Sequence, residues 1–308
     1  MALILSERLT RRLIDMPRAI RVVEGIFRDR AAGKVQGLPR RRIKSSRKQL
    51  NLMAAWHAGW DLICLRAYMM PTNTITLYSG RSGAIQAIMI ATYLSSLRTG
   101  AASGVAAKYL APPEARVLGI IGPGWQATFQ VEAIVHSCQI KQVLVFGRNP
   151  RQRKDFIREM GKRLSVKFKE SSSPEEIEAE SDIVVVATDS STPLIDGSRI
   201  RDEVLVISMG ANQAVKHEVS GDLIRRMELV VTDDLPTAQN DSGDLIAACQ
   251  AGIVRWEDVI PLEKIVAEGA PQPRPKKILF QSNGIADEDL AVARYVWNQA
   301  RRSHHQPK

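Results

Sequence analysis

The chain has 308 residues, 44% of them hydrophobic, which suffices to bury one large core or two ordinary ones and excludes disorder as a description of the whole. Its three cysteines, Cys64, Cys138 and Cys249, are far apart, show no CxxC spacing and cannot all pair, so neither a disulfide framework nor a zinc site is indicated and no metal is expected. A net charge of +10 raises nucleic acid or a membrane surface as partners, but the charge is spread out. Its densest runs, RRRIKSSRK at 40–48 and Arg148 to Lys154, have no zinc-finger, RNP or helix-turn-helix pattern beside them, so an anionic small molecule explains the charge more economically.

In chain order, MALILSERLTRRLI carries charges where a signal peptide needs an apolar core, and no later stretch reaches the roughly 18 uncharged apolar residues of a spanning helix. A cytoplasmic protein is the expectation. Residues 1–112 read as an α+β portion, with helical stretches near 6–33 and then mixed runs through LNLMAAW (50–56) and DLICLRAYMM (61–70). From 113 the pattern changes to short apolar runs alternating with polar, helix-like segments, as βαβ units require. Strands are predicted at VLGIIG (117–122), QVLVFG (142–147), VKF (166–168), DIVVVAT (182–188), EVLVISMG (203–210) and ELVVTDD (228–234). Most are continuous and β-branched, as in a parallel sheet covered on both faces. Apolar positions at helical spacing, Leu290, Val292, Ala293, Val296 and Trp297, predict a C-terminal helix. The expected organisation is a dinucleotide-binding domain over 113–284 and a second domain from 1–112 and 285–308, approached through the Pro-rich APQPRP (270–275).

Gly122-Pro-Gly124-Trp125-Gln126-Ala127 follows an apolar strand and precedes a helix-like run, the context a G-x-G-x-x-A dinucleotide fingerprint needs. Gly122 permits the turn, Gly124 admits a pyrophosphate, Ala127 lets helix and strand pack closely, and the helix N-terminus offers amides to the anion. At the end of the next strand, where an Asp or Glu would accept from the ribose hydroxyls, stands Phe146-Gly147-Arg148-Asn149-Pro150-Arg151. Arg148, with Arg151 or Arg153, suits a 2′-phosphate, which favours NADP(H) over NAD(H); a solvated basic helix start is the other reading.

Leu97-Arg98-Thr99-Gly100-Ala-Ala-Ser103-Gly-Val-Ala-Ala-Lys108-Tyr109-Leu resembles the signature of the ornithine cyclodeaminase and mu-crystallin family. SMGAN (208–212) with Lys216, SGDLI (242–246) and LFQSNGIADEDLAVA (279–293) resemble its later motifs in the same order. The resemblance implies an α/β architecture: a Rossmann NAD(P)-binding domain and an α+β substrate and dimerisation domain to which the C-terminal helix returns, in a homodimer. It also implies hydride transfer between nicotinamide C4 and a carbon bearing an amine or imine nitrogen beside a carboxylate, as in imine and ketimine reduction, alanine dehydrogenation or ornithine cyclodeamination. Fold does not choose among these.

The resemblance places the substrate carboxylate on Arg98, with Thr99 facing the cofactor. A second carboxylate-binding arginine is assigned to Arg41, in Leu38-Pro39-Arg40-Arg41-Arg42, and Met53 and Arg66 join the substrate set. Further cofactor contacts are carried over to Trp125, Gln126, Arg148, Asn149, Arg153, Thr188, Asp189, Ser190, Met209, Gly210, Lys216, Ser282 and Asn283. Two departures bear on the reaction. Arg66 stands where the family has a catalytic Lys, and Asn212 where cyclodeaminases have the Asp of GAD. Arg stays protonated and Asn is no carboxylate base, so cyclodeamination is impaired most, while reduction of a preformed imine asks only for orientation of the carboxylate and a placed hydride donor. Asn212 is left to hydrogen-bond the substrate nitrogen or the nicotinamide carboxamide. An imine or ketimine reductase acting on a small imino acid is therefore expected. A cyclodeaminase and a non-catalytic NADPH-dependent binding protein are the alternatives. Three fixed positive charges, Arg41, Arg66 and Arg98, would suit a second acid group on the substrate. Asp233, Asp234 and Asp244 read as capping or turn residues, and His57, His217, His304 and His305 form no motif.

Overall fold

The structure is a computed structural model that describes residues 2–305. The chain divides into two compact units, Met1–Ala101 with Gly284–Lys308, and Ala102–Asn283. The division falls within a 19-residue helix rather than at 112.

In the first unit β1 (Leu3–Leu5), α1 (Glu7–Leu13) and α2 (Met16–Ala31) precede a meander of β2 (Val35–Lys44), β3 (Gln49–His57), β4 (Leu62–Met69), β5 (Thr72–Ser79) and β6 (Ile85–Ile90). The sheet order is β1-β6-β5-β4-β3-β2, antiparallel except where β1 pairs parallel with β6. Asp15 caps α2 by accepting from Arg18 N, Pro17 sits in its first turn, and Ala19, Ile20, Val23, Ile26 and Phe27 recur at helical spacing on its buried face. The strands alternate cleanly. Met53, Arg66 and Ile75 are register partners on the inner face, whereas Trp56 and Ile63 pair on the outer one. The inner face is covered by α2 and the C-terminal helix.

The second unit begins in α3 (Thr92–Leu110) and continues β7 (Val117–Ile121), α4 (Trp125–Ser137), β8 (Gln142–Phe146), α5 (Pro150–Arg163), β9 (Lys167–Glu170), α6 (Pro174–Glu180), β10 (Ile183–Val186), β11 (Val204–Ser208), α7 (Gly221–Arg226), β12 (Leu229–Thr232), α8 (Leu235–Asp241), α9 (Gly243–Gln250), β13 (Val259–Pro261), α10 (Leu262–Glu268) and β14 (Lys277–Gln281). The chain then returns to the first unit as α11 (Ala286–His305). Eight parallel strands in the order β13-β12-β14-β11-β10-β7-β8-β9 make this a Rossmann domain, so the chain combines a doubly wound α/β domain with an α+β domain. After β7 the chain winds outward to β8 and β9, then recrosses to β10. The topological switch point, where such sheets bind ligands, therefore lies between β7 and β10. The six strands read from sequence are present, with β9 displaced to Lys167–Glu170. β13 and β14 were not anticipated, one having three residues ending in proline and the other only Ile278-Leu279-Phe280 as its apolar run. Among the described residues no helix is long and apolar enough to cross a membrane, and no group of His, Cys, Asp or Glu could hold a metal ion.

Candidate active site

At the switch point Gly122 has φ +92°, and a Cβ there would meet Ala187 O and Thr188 Cγ2 at 2.6 Å, so only glycine makes this turn. Gly124 is the N-cap of α4, and a Cβ on it would meet nothing within 4 Å. Helices α1, α2 and α5 to α9 all have a side chain accepting from their first amides, but α4 has none. Open space over uncapped amides fits the pyrophosphate of a dinucleotide. Ala127 is fully buried beneath the turn, and half-exposed Trp125 packs edge-on against Phe129.

Past β8 the arginines divide. Arg153 donates to Gly147 O (2.5 Å) and pairs with Glu170 at 3.2 Å, while Arg151 lies along the surface towards Asp155. Arg148 is exposed. Asn149 caps α5 by accepting from Arg151 N and Gln152 N, so its side chain oxygen serves the helix rather than a cofactor. Asp189 forms an ion pair with Lys216, and Ser190 accepts from Thr192 N, closing its own turn. Ser282 and Asn283 are buried and hold the ends of β12 and β14 together: Asn283 N donates to Asp233 Oδ2 (2.7 Å) and Asn283 Nδ2 to Thr232 Oγ1 (3.1 Å). Asp234 caps α8. Asn212 is half-buried in the loop after β11, beyond the buried Met209 and Gly210.

In the first unit, Arg98 is 3% exposed and donates from Nη1 to Glu288 (2.8 Å) and from Nε to Asp289 (2.9 Å). Burial alone would lower its pKa, but Asp289 and Glu288 outweigh it and raise the pKa. Its Nη2 has no protein acceptor among the described residues. Gly284, with φ +75°, would place a Cβ 2.6 Å from Arg98 Nη1, so glycine is what lets the guanidinium lie there. Thr99 returns its hydroxyl to Ser95 O in its own helix (2.9 Å). Arg66 uses all three nitrogens: Nε to Asn73 (3.3 Å), Nη1 to Asp289 (3.2 Å) and Nη2 to Ser95 (2.6 Å), with its carbon 4.5 Å above the Tyr68 ring. It is a buried strut, so its assignment as a catalytic residue is corrected.

Arg41 is corrected as well. It pairs with Leu52 on the outer face of the sheet and is exposed, whereas Met53 and Arg66 point inward. An irregularity between Leu38 and Arg41 turns Arg40 inward instead, 8% exposed and donating to Gly284 O at 3.2 Å. The expected trio of uncompensated charges is therefore replaced by a network. Arg30, Arg40, Arg66 and Arg98 accompany Asp287, Glu288 and Asp289, each acid 1% exposed or less, and Arg30 pairs with Asp287. The acids occupy the first turn of α11, where the helix dipole favours them. Sequence reading missed all three, although Asp289, Val292 and Val296 share the spacing of one buried stripe.

Sequence reading also missed Glu218. It is fully buried in the loop before α7 and accepts from Thr188 N (2.6 Å), Thr188 Oγ1 (2.8 Å), Ser208 Oγ (3.0 Å), Met209 N (3.0 Å) and Gly210 N (2.6 Å). Asp244, expected to cap or turn, instead lies beside it, with Oδ2 2.9 Å from Ser208 Oγ and Oδ1 accepting from Glu218 N (3.0 Å). Burial pushes both carboxyls up, Glu218 to about 7 and Asp244 to about 6.

The chain is 32% identical to an alanine dehydrogenase of Archaeoglobus fulgidus over 97% of its length and 95% of the relative's. It is 31% identical to an iminosuccinate reductase of Paracoccus denitrificans over 73% of this chain and 69% of that one. The solved structure of Thermococcus litoralis Delta(1)-pyrroline-2-carboxylate reductase, in complex with NADH and L-proline, superposes with a TM-score of 0.93 at 30% identity, covering 98% of both chains. Residues 2–304 match the ornithine cyclodeaminase/mu-crystallin family as a whole, and the chain belongs to that family.

Proposed function

We propose that the protein is an NAD(P)H-dependent reductase of small 2-imino or cyclic imino acids, giving the amino acid, and that it prefers NADPH. The observation that carries this reading is Arg98: its fork is held on two sides by Glu288 and Asp289, and Nη2 is left over for a substrate carboxylate. With Arg66 engaged by Asn73, Ser95 and Asp289 and Arg41 on the outer face of the sheet, the site suits one carboxylate rather than two. Gly122, Gly124 and the first amides of α4 would hold the dinucleotide's pyrophosphate, and Arg148 its 2′-phosphate. When bound, the reduced nicotinamide supplies a hydride to the carbon of a C=N bond. The chain's own residues fix the carboxylate through Arg98 and Arg40, and Asn212 hydrogen-bonds the substrate nitrogen. Neither Arg66, with every nitrogen engaged, nor Asn212, an amide, is a base able to manage the amines of a cyclodeaminase substrate. Family relatives include an alanine dehydrogenase dimer with bound NAD, and an iminosuccinate reductase in complex with NAD+.

We also infer a homodimer. The outer face of the six-stranded sheet exposes Ile4, Leu38, Ile43, Trp56, Ile63 and Ile90, between 37% and 81% each, while its other face is already covered. An apolar sheet face of this extent favours burial against a second copy.

Absorbance at 340 nm with NADPH or NADH and a panel of pyrroline carboxylate, piperideine carboxylate, pyruvate with amines, and oxaloacetate with ammonia tests the reading. Turnover of a monocarboxylate imine is expected. Ammonia release from ornithine without net cofactor consumption would replace the reductase with a cyclodeaminase, and tight NADPH binding without turnover would replace it with a binding protein.

A further inference from the structure

Glu218 touches the ends of two strands at once. One oxygen takes the amide and hydroxyl of Thr188, just past β10, and the other takes the amides of Met209 and Gly210, just past β11. These strand ends border the switch point, since Thr188 is also the residue that a Cβ on Gly122 would strike. The fit is close on the β11 side too: a Cβ on Gly210 would collide with Thr188 O and meet Glu218 Oε1 at 2.6 Å. Without the carboxylate, the backbone amides of Thr188 and Gly210 at the ligand-binding end of the sheet would lose this acceptor, and Met209 N would be left with Val186 O alone.

Ser208 links Glu218 to Asp244. Ser208 Oγ lies 3.0 Å from Glu218 Oε2 and 2.9 Å from Asp244 Oδ2, yet a hydroxyl has one hydrogen to give. Its hydrogen therefore serves one of the two carboxyls at a time. Glu218 is surrounded by donors on both oxygens and has no direction left in which to donate. Asp244 accepts from the amides of Glu218 and Val219 and can direct a proton from Oδ2 to Ser208. His217 Nδ1 is 3.7 Å from Asp244 Oδ1, and the adjacent Lys216 is paired with Asp189.

We infer that Glu218 is a positioning residue for the nicotinamide half of the cofactor, a carboxyl that splints the ends of β10 and β11, with Asp244 held beside it through Ser208. The inference rests on the proposed binding of a dinucleotide at the switch point, and it concerns only the half that reaches beyond the pyrophosphate. The adenosine and pyrophosphate half depends on the Gly122–Gly124 turn and α4, to which Glu218 makes no hydrogen bond.

Calorimetric titration of NADPH and of ADP-ribose, which lacks the nicotinamide, separates the two halves. Glu218→Gln replaces one acceptor oxygen with a donor facing backbone amides. It is expected to weaken NADPH by about 10-fold or more while leaving ADP-ribose within about threefold of wild type. Equal weakening of both ligands, or unchanged binding of both, would overturn the inference. Failure of the wild-type protein to bind either ligand would overturn the dinucleotide reading itself. Should Glu218→Gln not fold, Ser208→Ala removes one donor from the same carboxylate in a smaller side chain. It is then expected to weaken NADPH by about threefold to 10-fold with ADP-ribose unchanged, and wild-type affinity for NADPH in that variant would count against the splint.

Discussion

Arg98→Lys keeps the positive charge and removes the fork. In the wild type one guanidinium reaches Glu288 with Nη1 and Asp289 with Nε, at 2.8 and 2.9 Å, and in the proposed reading Nη2 would take the substrate carboxylate. A lysine ammonium is a compact charge that cannot hold both acids and a third carboxylate in one plane. Charge-assisted hydrogen bonds of this kind contribute about 1.5–3 kcal/mol each, so losing the one to substrate lowers kcat/KM for a cyclic imino acid by about 10- to 100-fold. Losing one bond to Glu288 or Asp289, both almost wholly buried, costs stability of similar size, about 2 kcal/mol, or roughly 4–8 °C in Tm. The assay is NADPH oxidation at 340 nm at varied imine concentration, with calorimetric titration of NADPH alongside and Tm by differential scanning calorimetry. The expected pattern is a lower kcat/KM for the imine, a lower Tm and an unchanged NADPH Kd. A lowered Tm with wild-type kcat/KM would refute the reasoning, because Arg98 would then be a strut like Arg66.

Arg148→Ala is expected to lower kcat/KM with NADPH by about 10-fold or more and leave NADH turnover unchanged, since a 2′-phosphate is the only group that distinguishes the two; equal loss with both cofactors would refute its role. With Arg66 committed to Asn73, Ser95 and Asp289 and Arg41 on the outer face, neither can serve a second acid group, so a monocarboxylate imine is expected to exceed an imino dicarboxylate in kcat/KM by about 10-fold, and equal values would remove the argument. Burial raises the native pKa of Glu218 to about 7 and of Asp244 to about 6, above their unfolded values. Between about pH 4 and 7 the native state therefore holds more protons than the unfolded chain, and stability falls as pH rises through that window. Asp244→Asn removes one of the two titrations, so the decline of Tm from pH 4.5 to 7.5 should become shallower, and an unaltered slope would contradict the assignment.

Much of the Rossmann domain was legible because its strands are continuous β-branched runs, as for Ile183-Val184-Val185-Val186, and its turn carries glycines with distinct duties. The candidate site was legible only where a residue's type determines its use. Gly122, with its positive φ, is such a case. Arg40 and Arg41 are not, since three consecutive arginines on a strand differ only in facing, and the irregularity near Leu38 that turns Arg40 inward is set by pairing with β3 rather than by local sequence. Asp287, Glu288 and Asp289 were not picked out because nothing in the chain near them shows that arginines more than 180 residues away, Arg66 and Arg98 among them, converge there. Glu218 was invisible for a related reason: its five donors come from two stretches, just past β10 and at the end of β11, and all five are main-chain amides or small hydroxyls that carry no sequence signature.

The fate of Arg66 bears on what chemistry remains. A lysine at that position would be a compact, titratable donor on a flexible stem, able to give up a proton. Arg66 is committed to Asn73, Ser95 and Asp289, and burial lowers its pKa only from a value far above any working pH, so it does not exchange protons with a substrate. What it supplies is shape: it braces Asp289, which braces Arg98. The replacement thus moves the position from proton handling to positioning of the carboxylate grip. A reaction that needs no protein base at the amine survives such an exchange, because an iminium already carries its proton and needs only a fixed carboxylate and a hydride donor beside its carbon.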